Sequence, residues 1–483
     1  VIPLFPALRE PAPHVALRFG ERALSYAELA GAAHAVAERV GSARRVAVWA
    51  TPSLETSVAV VAALLTGVPA VPINPRIGGR ELAHIVSDST PDLVLAEAEA
   101  ELPPELDGLP RTDVSAAPRT LSEPLPAEPA ADTTALIIYT SGTTGPPKGV
   151  VISRTAIAHT LDDLADAWRW TAGDVLVHAL PLFHVHGLVL GMLGPLRRGG
   201  RVHHVGRFDT GTVTAELAGE ASMLFGVPTM YHRLAEAVGD DPPLRAALAG
   251  ARLLVSGSAA LPAYDHERLT RATGQRVIER YGMTETLMNT SVRLDDTAPA
   301  GTVGVPLPSV QLRLVDEEGA PGVPSDGASV GEIQVRGPAV FTEYLNRPDA
   351  TRAAFAEGGW FRTGDVATRD AEGRVRIVGR KSTDLIKSGG YKIGAGEIEN
   401  VLLELPEVGE AAVTGEADPD LGERVIAWIV PADPEHRPDE EVVAEHVAKQ
   451  LAPHKRPREV RFRDRLPRND MGKVLKRSLS DPT

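Results

Sequence analysis

Residues 140–149 read Thr-Ser-Gly-Thr-Thr-Gly-Pro-Pro-Lys-Gly and lie between two apolar runs. Glycines let backbone N–H groups approach an anion closely. The hydroxyls of Thr140, Ser141, Thr143 and Thr144 add donors, Gly142 and Gly145 add freedom, and Lys148 adds a charge. That composition suits a phosphate. It differs from a Walker A loop, which needs Gly directly before Lys, Ser or Thr after it, and then a helix. Here Pro147 precedes Lys148, Gly149 follows it, and an apolar strand comes next. A plain Gly/Thr hairpin is the bland alternative; the density of donors argues against it.

A second cluster is His184-Val-His186. Two histidines at i and i+2 on a strand share one face and could hold zinc. No third ligand is near, and the chain contains no cysteine, so zinc is discounted. A zero cysteine count also excludes disulfides, thiolate catalysis and iron–sulfur clusters. Lys plus Arg number 50 against 64 Asp plus Glu, a net charge of −14. That disfavours a generally basic nucleic-acid-binding surface. The first ten residues do not read as a signal peptide. The uncharged stretch between Glu55 and Arg76 is broken by Gly67, Pro69 and Pro72, which predicts a buried helix and strand rather than a membrane span. A soluble cytoplasmic protein without a nucleic-acid or membrane partner is expected.

The elements that must position these residues follow an α/β rhythm. With 483 residues, two to four domains are expected. Residues 28–66 are alanine-rich with helical spacing, and short apolar runs follow at 68–73 and 93–95. Residues 101–132, rich in Pro, Glu and Ala, read as a solvated connection. Strands are then expected at 135–139 and 150–152. Ser153 is a plausible N-cap for a helix whose face carries Ile157, Leu161, Leu164 and Trp168. Further strands are expected at 175–180, 202–205, 223–227, 253–256 and 277–281. Beyond Ser309, residues 310–315, 332–335 and 375–378 alternate apolar and polar, as half-exposed antiparallel strands do. About 100 residues from Lys381 onward read as a small α+β unit. The expected fold is α/β, and the resemblance described next implies a large multi-sheet domain over 1–379 and a small mobile α+β domain over 380–483.

The loop at 140–149 resembles the signature of the adenylate-forming superfamily, which includes acyl-CoA synthetases, peptide-synthetase adenylation domains and luciferases. Other motifs of that family follow in order. LPLFHVHGL at 180–188 resembles its aromatic or histidine gate, and SGSAAL at 256–261 its adenine motif. YGMTET at 281–286 resembles the phosphate and Mg²⁺ motif, and WFRTGDVA at 360–367 the ribose motif. GRKSTDLIKSGGYKIGAGEIE at 379–399 resembles the hinge and the loop after it, and PRNDMGK at 467–473 the catalytic-lysine motif.

The resemblance implies ATP, Mg²⁺ and coenzyme A as reactants. It places Ser256, Gly257, Ser258, Tyr281, Gly282 and Met283 around the nucleotide, Thr284 on the α-phosphate and Glu285 on Mg²⁺. It places Asp365 on the ribose hydroxyls with Arg380 beside it. Lys473 would bridge the attacking carboxylate and the nucleotide. After rotation about a hinge near 380–382, Ser388, Gly389, Gly390 and Tyr391 would face the thiol tunnel. His184 would stand between the acyl pocket and that tunnel. The lysine motif also resembles a site for a lysine acetyltransferase. The chemistry is coherent: a carboxylate is a poor acylating agent, and transfer to AMP supplies a leaving group.

Arg280 bears on the acid. It precedes Tyr281 at the carboxyl end of an apolar strand, where α/β sheets place ligands. It is either a rim arginine paired to a carboxylate or a fork for a second substrate carboxylate. ERYGMTET resembles the malonyl-CoA synthetase branch, which implies malonate or methylmalonate as substrate. The alternatives are a CoA ligase for another short acid, an amino-acid adenylating enzyme, and, last, a non-enzymatic nucleotide-binding regulator.

Overall fold

The computed structural model describes residues 3–121, 123–140, 146–469 and 472–479. Its largest sheet has nine strands. Six of them run parallel: Val277–Met283, Leu253–Ser256, Met223–Gly226, Val175–His178, Arg201–His204 and Val15–Phe19. A hairpin partner, Leu287–Ser291, returns antiparallel beside Val277–Met283. A seven-stranded sheet holds Lys148–Ser153 and Thr134–Thr140 next to Ala70–Ile73 and Val46–Trp49. A third, antiparallel sheet contains Gln311–Val315, Gly331–Arg336, Trp360–Arg369 and Val375–Arg380. The fourth lies in the C-terminal region and is built on the hairpin of Val408–Asp418 and Gly422–Pro431.

Local sequence explains the helices that separate these sheets. Ser25 and Glu28 form a capping box on Tyr26–Val40, and Ser53 caps Leu54–Thr66. Every residue of Leu54–Thr66 except Thr66 is buried, so this helix is apolar all round. Its one charge, Glu55, pairs with Arg22. Gly67 ends the helix in the left-handed region, and Ala70–Ile73 follows. The uncharged stretch is therefore a buried helix and strand, as its breakers predict. Ser153 does cap Arg154–Trp168, and Ile157, Leu161, Leu164 and Trp168 are fully buried.

Three expectations need correction. The alanine-rich stretch 28–66 is not continuously helical, because the strand Val46–Trp49 interrupts it. Val, Ala, Val and Trp suit a strand buried on both faces, and such a run carries no period that distinguishes it from a helix. The connection 101–132 contains an edge strand, Arg111–Val114, paired with Leu93–Glu97. An edge strand has one bonded side and tolerates polar residues, so it hides in polar sequence. His184 and His186 do not share a strand face. His186 opens a π-helical stretch, His186–Leu193, of a kind frequent at functional sites.

The C-terminal sheet has its own core, including Ile386, Ile393, Ile398, Leu402, Val413, Ile429, Val443 and Val447. Lys381 and Lys387 pair across to Glu332 and Glu317 of the third-sheet region.

Glu279, on the strand Val277–Met283, fastens two loops beside the parallel sheet. Its Oε2 accepts the Leu261 N–H at 3.0 Å and its Oε1 the Gly301 N–H at 3.3 Å. Burial pushes this carboxyl up to about 7; the two N–H groups, Arg376 and Arg276 oppose the shift only in part. A folded value above the unfolded one means that this group's contribution is complete at low pH and is lost as pH rises through 7. Between pH 5 and pH 8 Glu279 therefore removes roughly 3 kcal/mol of stability. Glu279→Gln should flatten that part of the profile. Denaturant unfolding of both proteins at the two pH values measures it, and parallel profiles would refute a proton-binding Glu279.

Candidate active site

Three groups of side chains converge where the first three sheets meet. The first lies at the carboxyl ends of the parallel strands Leu253–Ser256 and Val277–Met283. Arg280 points inward and is 5% exposed. Its guanidinium lies against Gly257: a Cβ there would sit 2.2 Å from Arg280 Cζ. A larger residue there would displace the guanidinium. Arg280 makes no ion pair among the described residues, and its Nε and Nη2 lack hydrogen-bond partners. Burial pushes the guanidinium down to about 10, so it remains charged at neutral pH.

His186 faces the same space. It is buried, and its Nδ1 stands 3.4 Å from Ser258 Oγ, while its Nε2 has no partner. Burial first, then the charge of Arg280, hold the imidazole well below its ordinary value, so it is neutral. With Nδ1 accepting from Ser258, Nε2–H is a second unused donor. The Ser256 hydroxyl is also buried and unpartnered. Ser258 adopts a φ of 75°, which turns the loop back over the strand end. His184 packs its ring on Phe183, with centroids 4.6 Å apart.

The second group centres on Asp365. The Tyr281 hydroxyl donates to Asp365 Oδ2 at 2.6 Å, and Arg380 Nε lies 3.0 Å from Oδ1. Strand register puts Asp365 directly opposite Arg380. Burial raises the Asp365 carboxyl, opposed by Arg380, Tyr281 and then Lys473. The charge of Lys473 thus reaches this carboxylate. Lys473 itself is exposed. Its N–H is held by Asn469 Oδ1 at 2.9 Å, and Gly472 beside it packs on Thr229. Each oxygen of Asp365 still has a lone pair for a further donor.

The third group joins Lys148 to Glu285. Lys148 Nζ sits 4.3 Å above the Tyr344 ring, and the Tyr344 hydroxyl donates to Glu285 Oε1 at 2.9 Å. Burial raises the Glu285 carboxyl. Thr284 is half-buried in the turn just before it, after Gly282 and Met283 close the strand. Gly282 has no room for a side chain, because a Cβ would meet Leu287 O at 1.8 Å. Thr140 pairs with Lys148 across the strands that flank the loop. Ser141, Gly142, Thr143, Thr144 and Gly145 lie outside the described residues.

Ser388, Gly389, Gly390 and Tyr391 form a hairpin tip in the C-terminal sheet. Gly389 and Gly390 take φ values of 57° and 81°. Tyr391 stacks on His454 with centroids 3.9 Å apart, and Gly389 bonds to Leu421. This tip belongs to its own sheet and not to the three groups above.

Sequence reasoning passed over His186 as a site residue, and it did not single out Tyr344 or Glu279. His186 was visible only as half of a supposed metal pair. Tyr344 stands alone in an otherwise plain segment, and its meaning comes from the pairing of Glu343–Tyr344 with Lys148–Ser153. Among the described residues no helix is long and apolar enough to cross a membrane.

Residues 6–345 match the model of the AMP-binding enzyme family, and residues 397–473 match that of its C-terminal domain. A malonate–CoA ligase of Homo sapiens, named as mitochondrial, is 36% identical over 463 residues, which cover 86% of this chain and 79% of the relative. A solved malonyl-CoA ligase, in a ternary product complex with methylmalonyl-CoA and AMP, is 67% identical, with 96% and 100% coverage and a TM-score of 0.75. ATP-bound MatB from Rhodopseudomonas palustris is 34% identical, with 99% and 97% coverage and a TM-score of 0.89. The chain belongs to the AMP-binding enzyme family, the adenylate-forming superfamily that its ordered motifs resemble.

Proposed function

We propose that this enzyme joins malonate or methylmalonate to coenzyme A through an acyl-adenylate, releasing pyrophosphate and AMP. The observation that carries the choice of acid is the unpaired, buried Arg280. A dry cation without a carboxylate partner is costly to keep, and a ligand that brings a carboxylate removes that cost. Arg280 and the Nε2–H of His186 offer donors to the distal carboxylate, and the dry pocket strengthens both bonds. An amino-acid substrate would need an acidic partner for its amine, and Arg280 has the opposite sign.

In the first half-reaction a malonate oxygen attacks the α-phosphorus of ATP, and the bond to pyrophosphate breaks. Lys148 and the loop before Gly149 suit the departing phosphates, and Thr284 suits the α-phosphate. Mg²⁺, when bound, would neutralise phosphate charge. Glu285 is the one carboxylate placed for it, and no cluster of three acidic or histidine ligands stands among the described residues. That fits a magnesium ion held mainly by substrate phosphates. Asp365 and Arg380 suit the ribose. Lys473, near enough for its charge to reach Asp365, suits the attacking carboxylate. In the second half-reaction the coenzyme A thiolate attacks the acyl carbon, and the bond from that carbon to the phosphate oxygen breaks.

The two half-reactions call for two placements of the C-terminal domain. This chain superposes better on the ATP-bound relative at 34% identity than on the product complex at 67%. Rotation of one domain would lower the score at near-full coverage, and the difference supports an adenylate-forming placement here. Arg380 is bonded to Asp365 and Thr363, and Lys381 to Gly364 and Glu332, so both belong to the large domain. Asp384 bonds back to the Arg380 backbone across the turn, while its side chain is held by Lys476, which also pairs with Glu399 of the small domain. We therefore place the pivot at Ser382 and Thr383, within and just beyond the expected 380–382. The exposed Lys473 is also open to a lysine acetyltransferase, and acetylation would remove the charge that the first step uses.

Lys473→Ala should lower adenylate formation on the order of a hundredfold and spare thioester formation from supplied malonyl-AMP. Separate assays of pyrophosphate release and of CoA consumption measure the two, and an equal loss in both would end the alternation model. Arg280→Met should lower kcat/KM for malonate on the order of tenfold to a few hundredfold. Butyrate, with no distal charge, should lose little. The wild-type and mutant ratios for the two acids decide the case; a common factor for both would make Arg280 structural or nucleotide-linked.

A further inference from the structure

Tyr344 takes no part in the steps above, yet it touches two of their residues. It is 6% exposed. One edge of the ring ends in the hydroxyl bonded to Glu285 Oε1 at 2.9 Å, and one face carries the Lys148 ammonium at 4.3 Å from the centroid. The backbone repeats the link. Phe341 N–H donates to the Glu285 carbonyl at 2.7 Å, while Thr342 and Leu345 N–H groups bond to Val151 and Gly149 of the strand that begins at Lys148. Residues 341–345 thus strap the Lys148 strand to the Glu285 turn.

A carboxylate with two free oxygens on a flexible side chain swings and can close directly onto a nearby ammonium. Lys148 and Glu285 carry opposite charge and lie on either side of one ring. A direct pair between them would satisfy both and leave neither for phosphate or metal. The phenol prevents this by occupying Oε1 and by giving the ammonium a π-face, which attracts a cation without neutralising it. The Glu285 backbone N–H also bonds the carboxylate, and the lone pairs that remain are left for an incoming cation. The ring itself is fixed by Phe341, whose centroid lies 4.7 Å away.

We propose that Tyr344 is a positioning residue that keeps Glu285 and Lys148 apart and preset, so that a divalent cation and the ATP phosphates meet them in place. This rests on the proposed roles of Glu285 and Lys148, and it adds the residue that makes them work as a unit.

The test uses the full-length enzyme and Tyr344→Phe, which keeps the ring and its face but removes the hydroxyl. Two measurements are made on each protein: the Mg²⁺ concentration for half-maximal malonate-dependent pyrophosphate release at fixed ATP, and calorimetric binding of ATP with Mn²⁺ and of AMP without metal. The half-maximal Mg²⁺ should rise about fivefold or more, a loss in the range of a hydrogen bond to a charged group. Mn²⁺-dependent ATP binding should weaken by a similar factor, and metal-free AMP binding should stay within about twofold. Tyr344→Leu, which also removes the π-face, should weaken metal-free ATP binding in addition. Unchanged metal dependence in Tyr344→Phe overturns the proposal. So does an equal loss of AMP and metal–ATP binding with a lowered melting temperature, which would make the residue structural. Absence of malonate-dependent pyrophosphate release in the wild type would instead refute the proposed reaction, and the binding measurements would still report on Tyr344.

Discussion

A guanidinium buried without a counter-charge is the constraint around which this site is arranged. Arg280 is charged at neutral pH, dry, and bonded at neither Nε nor Nη2 among the described residues. Several features follow from accommodating it. Glycine at 257 lets the guanidinium lie where it does, because a Cβ there would sit 2.2 Å from Arg280 Cζ and push the side chain away. His186 must stay neutral, because a second cation beside Arg280 would repel it. Glu279, the adjacent carboxylate in sequence, must not pair with it. Strand alternation sends Glu279 to the opposite face, where it fastens the loop containing Leu261. Two charges neighbouring in sequence are thereby separated: Glu279 holds the loop behind the pocket, and Arg280 has no counter-charge among the described residues.

Topology explains how residues from distant sequence reach this place. The parallel strands Leu253–Ser256 and Val277–Met283 end side by side, so their following turns present Gly257, Ser258 and Thr284–Glu285 together. The second sheet brings Lys148 through a strand that ends against Tyr344. The third brings Asp365 and Arg380 as a cross-strand pair. Each sheet contributes one group of site residues. The rigid cores beneath them keep distances that no single loop would hold.

Much of this was legible because the motifs carry chemistry in side chains that appear in order. Lys148, Glu285, Asp365 and Arg380 form two connected groups, as their types suggested, although their contacts with ATP belong to the proposal. Arg280 is buried and unpaired among the described residues, unlike a paired rim residue, and its reading as a fork for a substrate carboxylate belongs to the proposal. The strands from 175 to 281 were visible as apolar runs between helices. What sequence could not reveal is of two kinds. Val46–Trp49 was hidden because a doubly buried strand has no alternation to detect. His186 and Tyr344 were hidden because their meaning lies in neighbours 94 and 59 positions away, Arg280 and Glu285. A tyrosine's one hydroxyl says nothing of the carboxylate that it will hold.

The charge arrangement also constrains when the two domains can part. With the small domain placed as here, the positive charge of Lys473 falls on a buried carboxylate, Asp365, which already faces Arg380. The Arg380 side chain is bonded to Asp365 and to the Thr363 carbonyl, so in the proposed rotation it would stay with the large domain. Withdrawal of Lys473 therefore costs Asp365 one favourable charge and leaves its main partner in place. In the proposed alternation the proposed ribose site would stay formed while the lysine departed, and a bound adenylate would keep its nucleotide contacts as its acyl carbon became open to a thiol. A catalytic cation that shared no carboxylate with the static site would lack this guidance. One that was the sole partner of Asp365 could not leave without stranding a buried charge. Lys473 lies between those extremes, which is the balance that the proposed alternation needs.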